Sequence, residues 1–357
     1  MKQKNNLFIT LTLILGLGLM TACSDDDSSG PTPVDKTALT TSIAAAQALL
    51  DGTEEGTSDG QYLLGSKAPL ETAIAAAQAV VDDADSDEAD VANAIVNLAA
   101  AVTEYESNII TPIAPANLMA HWKFDEGTGT SAADASSNGL NGTLTTGHPF
   151  WGSGDAAWSE DRYGNANSAL YFDMGASVEV PYNTKLNPTE MTISLWMKQD
   201  VNDPIINNQY MVSMNRWNGY KLNMQTDPKA FMTVKSDVDG NPEPAYYDRD
   251  NADPILAQGA WYHVVVTFGG GHMVFYVDGV KVKDWDDTPG TGINISADPV
   301  NLTMGQDLPT SVYSEDDTSP FYVNWGGYFK GSLDEVRFYN TVLTDTQALS
   351  LYNIEKP

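Results

Sequence analysis

The feature that most constrains this chain is a break in composition at Thr111-Pro112-Ile113-Ala114-Pro115. All eight Trp and fourteen of the sixteen Tyr lie beyond it. There the sequence divides into short β-type runs: residues 118–124, 169–173, 177–181, 191–198, 209–214, 220–224, 231–235, 261–268, 272–277, 280–284, 301–304 and 331–339. Gly, Pro and Asn punctuate them. Many short strands with turn signals between them predict an antiparallel sandwich or barrel. Asp278-Gly279 joins two alternating runs and is a hairpin signal. Thr344 stands where a short closing helix needs its N-cap.

Before the break the chain is rich in Ala and acidic residues and holds no Trp. LTTSIAAAQALLD at 39–51 returns as LETAIAAAQAVVD at 70–82, with nine of thirteen positions identical. A third run carries Val91, Ile95, Leu98, Val102 and Tyr105 at helical spacing. Each run makes one apolar stripe that cannot bury itself, so residues 36–110 are expected to close as a three-helix bundle. Residues 111–116 read as a linker and 117–357 as the β-domain. Gly56-Thr57-Ser58-Asp59-Gly60 matches a nucleophile-elbow pattern but lies between helices, where no strand precedes it. The Asp83–Asp87 run opens like a calcium loop, but Glu88 and Ala94 occupy the positions that need Gly and a bidentate Glu.

Composition narrows the function. Eighteen basic residues face 48 acidic ones, a net charge of −30. That excludes non-specific binding to nucleic acid or anionic lipid. Cys23 is the one cysteine, so no disulfide or multi-cysteine zinc site can form within the chain. Lys2 and Lys4 precede an apolar run at 7–20, which reads as a secretory signal over residues 1–22. Leu19-Met20-Thr21-Ala22-Cys23 resembles a bacterial lipobox, with Met20 in place of the usual Leu. The resemblance implies lipidation of Cys23. Ser24-Asp25-Asp26-Asp27 resembles the acidic tag of surface lipoproteins of the Bacteroidetes, and residues 23–35 read as a lipidated tether. The expected location is the outer membrane, lipid-anchored and facing the cell exterior, with membrane contact through the lipid alone.

Two family resemblances follow. The repeated Leu/Ile/Ala pattern with Gly60-Gln61-Tyr62 resembles FIVAR-type helical modules, which implies a spacer or a weak sugar- or matrix-binding unit; the small Ala side chains, which offer little ligand surface, favour the spacer. Residues Ala120 to Gly129 and Asp134 to Leu144 resemble the opening of a laminin-G-like, concanavalin A-like jelly roll. Met191 to Lys198, Trp261 to Phe268, Tyr276 to Gly279 and Tyr328 to Asn340 follow in that family's order. The expected fold class is mainly β, an antiparallel β-sandwich jelly roll preceded by a small all-α three-helix bundle. The resemblance also implies one structural calcium ion, with Asp125 and Asp334 at positions that could ligate it.

Catalytic signatures are missing. A retaining glycosidase needs two carboxylates ~5 Å apart. The related glucanases set them as Glu-x-Asp-x-x-Glu, and no such segment occurs. Asp334 and Glu335 are adjacent, so on a regular strand they point to opposite faces. His121, His148, His263 and His272 are scattered, and no H-E-x-x-H zinc motif exists. Binding has better candidates. Sugar C–H faces stack on aromatic rings, and sugar hydroxyls need polar partners. Arg216-Trp217-Asn218-Gly219-Tyr220-Lys221 and Tyr246-Tyr247-Asp248-Arg249 place aromatics beside such partners, and the 306–328 loop adds Tyr313 and Trp325. The ligand candidates are Arg216, Trp217, Tyr220, Lys221, Tyr246, Tyr247, Arg249, Tyr313 and Trp325. Between residues 207 and 250, five basic residues nearly balance six acidic ones, so a neutral polysaccharide is the simpler partner than an anionic one. The expected function is non-catalytic glycan capture at the surface, beside neighbouring glycan-uptake proteins. An adhesin for a protein or matrix partner, and a glycoside hydrolase or polysaccharide lyase without a known signature, stay open.

Overall fold

A computed structural model describes residues 34–357 except 149, 151, 203, 239, 242, 243, 293–298 and 326, together with the side chain of Trp325. The signal run, Cys23 and nearly all of the tether lie outside the described residues.

The N-terminal part forms α1 (Thr37–Asp51), α2 (Lys67–Asp82) and α3 (Glu88–Ser107). The two sequence copies are α1 and α2. Leu39, Ala46 and Leu50 of one meet Leu70, Ile74 and Ala77 of the other, and Val91, Leu98 and Tyr105 of α3 close the core. Burying a Leu- or Ile-sized side chain contributes ~1.5–3 kcal/mol, which no single stripe could gain alone. In the first loop β1 (Glu55–Gly56) pairs with β2 (Tyr62–Leu63), and Tyr62 stacks on Tyr105 with centroids 4.4 Å apart. The acidic run before α3 is a cap: Asp87 accepts from the backbone of Ala89 and Asp90. Among the described residues no helix is long and apolar enough to cross a membrane.

Beyond the linker two antiparallel sheets face each other. The first runs β16 (Val280–Trp285), β15 (His272–Val277), β14 (Trp261–Gly269), β9 (Met191–Gln199), β19 (Gly331–Tyr339), β7 (Ala169–Phe172) and β6 (Ala157–Ser159), with β3 (Leu118–Trp122) also on β19. The second runs β13 (Ala245–Asp250), β12 (Ala230–Asp237), β11 (Tyr220–Met224), β10 (Gln209–Met214), β18 (Leu302–Met304), β8 (Ser177–Val180), β5 (Gly142–Thr145) and β4 (Ser131–Ala132), with β17 (Thr291–Gly292) on β12. Side chains alternate across each strand. Ile193, Leu195, Val264, Val266, Val336 and Phe338 of the first sheet therefore pack on Leu222, Met224, Met232 and Val234 of the second. The chain is mainly β, a sandwich with a helical module.

The outer face of the first sheet is also covered. Helix α4 (Asp345–Glu355) opens with a capping box in which the Thr344 hydroxyl accepts from Gln347 N. It packs Ala348 on Val265, Val274 and Tyr276. Its last turn brings Glu355 to Trp196 Nε1 at 2.9 Å and to Arg337. The linker is pinned to the same helix: Thr111 N donates to Ser350 Oγ at 2.9 Å, and Gln347 Nε2 donates to Pro112 O at 2.7 Å.

One expectation is corrected here. Asp334 and Glu335 share a face, because β19 carries a bulge. Glu335 has φ 50°, and the register with β9 shifts between Asp334 and Arg337. Asp334 pairs with Arg162. Glu335 meets His121 Nε2 at 2.5 Å and Arg337 Nη2 at 2.8 Å.

Candidate functional site

The outer face of the second sheet carries one polar row. Thr143, Glu179, Thr303, Ser213, Lys221, Thr233 and Asp248 are register partners in turn across β5, β8, β18, β10, β11, β12 and β13. A segment from Gly305 to Lys330 crosses half of it. Ser213 Oγ donates to Asp307 O at 2.7 Å, Thr303 Oγ1 donates to Gln306 O at 2.8 Å, and Thr310 N donates to Glu179 Oε1 at 3.1 Å. Lys221, Thr233 and Asp248 lie in the other half. With Trp217 and Tyr246 they line a cavity of about 410 Å³, within the usual range for a small-ligand site.

The turn after β10 sets one wall. Asn215 (φ 62°) and Arg216 (φ 51°) both adopt left-handed backbone, which costs a non-glycine residue ~1–3 kcal/mol. At Gly219 a Cβ would lie 2.3 Å from Met214 O, so a side chain does not fit. The strain is held by Arg216, which is fully buried. It pairs with the equally buried Asp307 and donates through Nη1 to Pro320 O at 3.2 Å and Tyr322 O at 3.0 Å. Asp307 also accepts from Tyr313 Oη at 2.7 Å and Gly327 N at 3.2 Å. Sending Arg216 inward leaves the next residue, Trp217, on the cavity side, with the guanidinium carbon 5.3 Å from its ring centroid.

On the floor, Lys221 is 7 % exposed and its ammonium lies over the rings of Tyr210 and Phe231, 5.3 and 5.5 Å from their centroids. Burial pulls its pKa below the ordinary lysine value, while Asp248 and Asp307 pull it back. Thr233 Oγ1 donates to Asp248 Oδ1 at 2.6 Å. Tyr246 is 49 % exposed, with Lys235 Nζ 5.4 Å from its ring centroid.

Of the residues expected from sequence, the fold brings Trp217, Lys221 and Tyr246 together. The others sit elsewhere. Arg216 is buried and Tyr313 half-buried in the Asp307 cluster, where the Tyr313 ring packs on His148 at 4.2 Å. Tyr220 points into the core and donates to Leu186 O at 2.7 Å. Tyr247 and Arg249 alternate with Tyr246 and Asp248, so they face the sandwich interior. Arg249 lies over Trp285 and pairs with Asp287 at 2.9 Å. The Trp325 side chain is outside the described residues. Thr233 and Asp248 complete the lining and are not candidates by sequence: only register reveals Thr233, whereas Asp248 lies inside the Tyr246–Arg249 run.

Asp125 and Asp334 do not fit a calcium ion. Asp334 is 2 % exposed against Arg162, whose guanidinium already stands where a cation would. Asp125 is exposed. Among the described residues no group of three His, Cys, Asp or Glu side chains converges to hold a metal, and calcium takes at least six oxygens. Ser194 Oγ and His263 Nε2 are 2.9 Å apart, a nucleophile–base spacing. Both are fully buried, with Trp196 and Tyr352 packed on the imidazole, so no substrate reaches them.

The family model Laminin_G_3, described as the concanavalin A-like lectin/glucanases superfamily, matches residues 172–348. No curated protein matches the chain. Among solved structures it is similar to domain 4 of AbnA, a GH43 extracellular arabinanase from Geobacillus stearothermophilus, in complex with arabinotriose. That match has 18 % identity and a TM-score of 0.47, and covers 66 % of this chain and 98 % of the other. The binding domain of Paraclostridial Mosquitocidal Protein 1 matches at 15 % identity and TM-score 0.47, over 67 % of this chain and 52 % of the other. The receptor-binding domain of botulinum neurotoxin C/D mosaic serotype matches at 12 % identity and TM-score 0.44, over 68 % and 52 %. The chain thus spans about half of each toxin domain.

Proposed function

We propose that this protein holds a polysaccharide in the Trp217–Tyr246 cavity and leaves its bonds intact. The observation that carries the reading is two aromatic rings beside a Lys, a Thr and an Asp in one cavity on a rigid sheet. Rings accept the apolar faces of a sugar, and the polar row meets its hydroxyls. Among the described residues Asp248 is the single acid lining the cavity, so no paired carboxylates line it there. Glycosidic cleavage would need a second. The lipobox around Cys23 supports a surface anchor, and the three helices suit a spacer between anchor and sandwich.

Affinity gels and calorimetry of the full chain against a polysaccharide panel test this. Trp217→Ala removes the ring that the turn is built to present. Truncating such an aromatic anchor costs ~2 kcal/mol or more, about thirty-fold in Kd. Tyr246→Ala, on the exposed wall, is expected to weaken retention less. Equal retention by wild type and Trp217→Ala would place the site elsewhere. Release of reducing ends or unsaturated products from a bound glycan would make the protein an enzyme.

A further inference from the structure

The cavity's floor says more about the ligand than its walls do. Lys221 is buried among β-strands and lines the cavity, and among the described residues no ion pair within 4.0 Å joins its ammonium to a carboxylate. The guanidinium groups held about as deeply are all paired: Arg162 with Asp334, Arg216 with Asp307, Arg337 with Glu335 and Glu355. The chain has 48 acidic residues for 18 basic ones, so a counter-charge was not scarce. An unpaired buried charge is costly unless something in its working state compensates it. The Tyr210 and Phe231 rings hold the ammonium in place but use none of its three N–H donors.

Resting on the reading of this cavity as the glycan site, we infer that the sugar unit seated there carries an anionic group, a uronate carboxylate or a sulfate ester, that accepts from Lys221 Nζ. The Asp248 carboxylate acts on Lys221 through its charge but forms no ion pair with it: its backbone stands two strands away in the same row, about 10 Å at the usual strand spacing. It accepts from Thr233 at 2.6 Å and sits on the exposed side, where water screens it. The cavity therefore offers a cation on its floor and a hydroxyl acceptor at its rim. The near-zero charge of residues 207–250 concealed this. Arg216 and Arg249 are spent on Asp307 and Asp287, and Lys229 pairs with Asp227 at 3.2 Å, which leaves two lysines without an ion pair among the described residues: Lys235, over the exposed Tyr246 ring, and the buried Lys221.

The test starts from an array holding galacturonan, alginate, hyaluronan, chondroitin sulfate and carrageenan beside neutral galactan, mannan, arabinan, xylan and β-glucan. Acidic glycans are expected to be the retained ones. The best acidic glycan is then compared by calorimetry with its own carboxyl-reduced or desulfated form, on the unaltered protein. The acidic form should bind at least ten-fold tighter, and which treatment abolishes the difference tells carboxylate from sulfate. Lys221→Met should collapse that ratio to within two-fold, by weakening the acidic form more than the neutral one. Tighter binding of a neutral glycan, or an acidic-to-neutral ratio unchanged in Lys221→Met, overturns the inference. Trp217→Ala reads the site separately: if it weakens a neutral glycan while Lys221→Met changes no ratio, the cavity stands and the anion falls. Retention of no glycan at all defeats both.

Discussion

Replacing Asp307 with alanine is expected to destabilise the sandwich by ~3–5 kcal/mol, the usual cost of stranding one partner of a buried ion pair. In a domain of this size that lowers the melting temperature by roughly 10 °C. The cause is local and threefold. The Arg216 guanidinium would stay fully buried without its counter-charge. Tyr313 Oη and Gly327 N would lose their acceptor. The left-handed turn at Asn215 and Arg216 would lose the clamp that holds it. The double variant Arg216→Met, Asp307→Leu separates stability from function. Apolar residues of similar volume tolerate such a site well, so its melting temperature should recover the share of the loss that comes from the stranded guanidinium. Glycan retention should not recover, because nothing then forces Trp217 to the cavity wall. Calorimetry and affinity gels on both variants check this. A single variant that melts within 1 °C of wild type would show that the pair does not anchor the loops.

Acid is expected to unfold this protein in a way that one histidine reports. His263 is fully buried; burial first, then the Arg337 and Arg162 charges, lower its pKa to about 3. His148 is lowered to about 4 by burial. An exposed imidazole in the unfolded chain takes a proton near 6.5. Above that pH neither state is protonated and the stability is intact. Between 6.5 and about 3 the unfolded chain binds a proton that folded His263 refuses, so stability falls as pH falls, by about 1.4 kcal/mol per pH unit. Glu335, lowered to about 2 despite its burial because His121 and Arg337 face it, adds its own loss from 4.5 downward. Burial raises Asp334 while Arg162 pulls it back, and a raised carboxyl works in the opposite sense. The informative measurement is therefore differential. Urea unfolding of His263→Gln, whose amide can still meet Ser194 Oγ, should show a flatter pH dependence than wild type. The gap should reach about 2.7 kcal/mol between pH 6.5 and 4.5. Parallel curves would mean that the imidazole takes its proton inside the fold.

What the sequence reveals depends on the range of the interaction. The repeat at 39–51 and 70–82 shows two helices because each stripe is local. Strands such as Met191–Gln199 and Trp261–Gly269 are legible from β-type runs bounded by turn residues. Parity within a strand is harder. Tyr246 and Tyr247 are equivalent as letters, and only pairing with β12 says which one meets the cavity. Arg216 looks like a surface donor until Asp307, 91 residues later, is folded against it. The bulge at Glu335 depends on β19 fitting against β9 and leaves no local trace. Lys221 was legible as a candidate, but its solitude was not, because counting charges cannot tell which ones are already matched.

The segment laid across the polar row touches it through side chains and single backbone contacts and leaves the strand ladder unbroken beneath. Trimming the Thr310 side of that strap, with Asp307 and its clamp on Arg216 left in place, would uncover Glu179 and lengthen the trough along strands that need not shift. A scaffold so arranged keeps grip length separate from rigidity, and descendants could suit longer or shorter polymers by editing one connection.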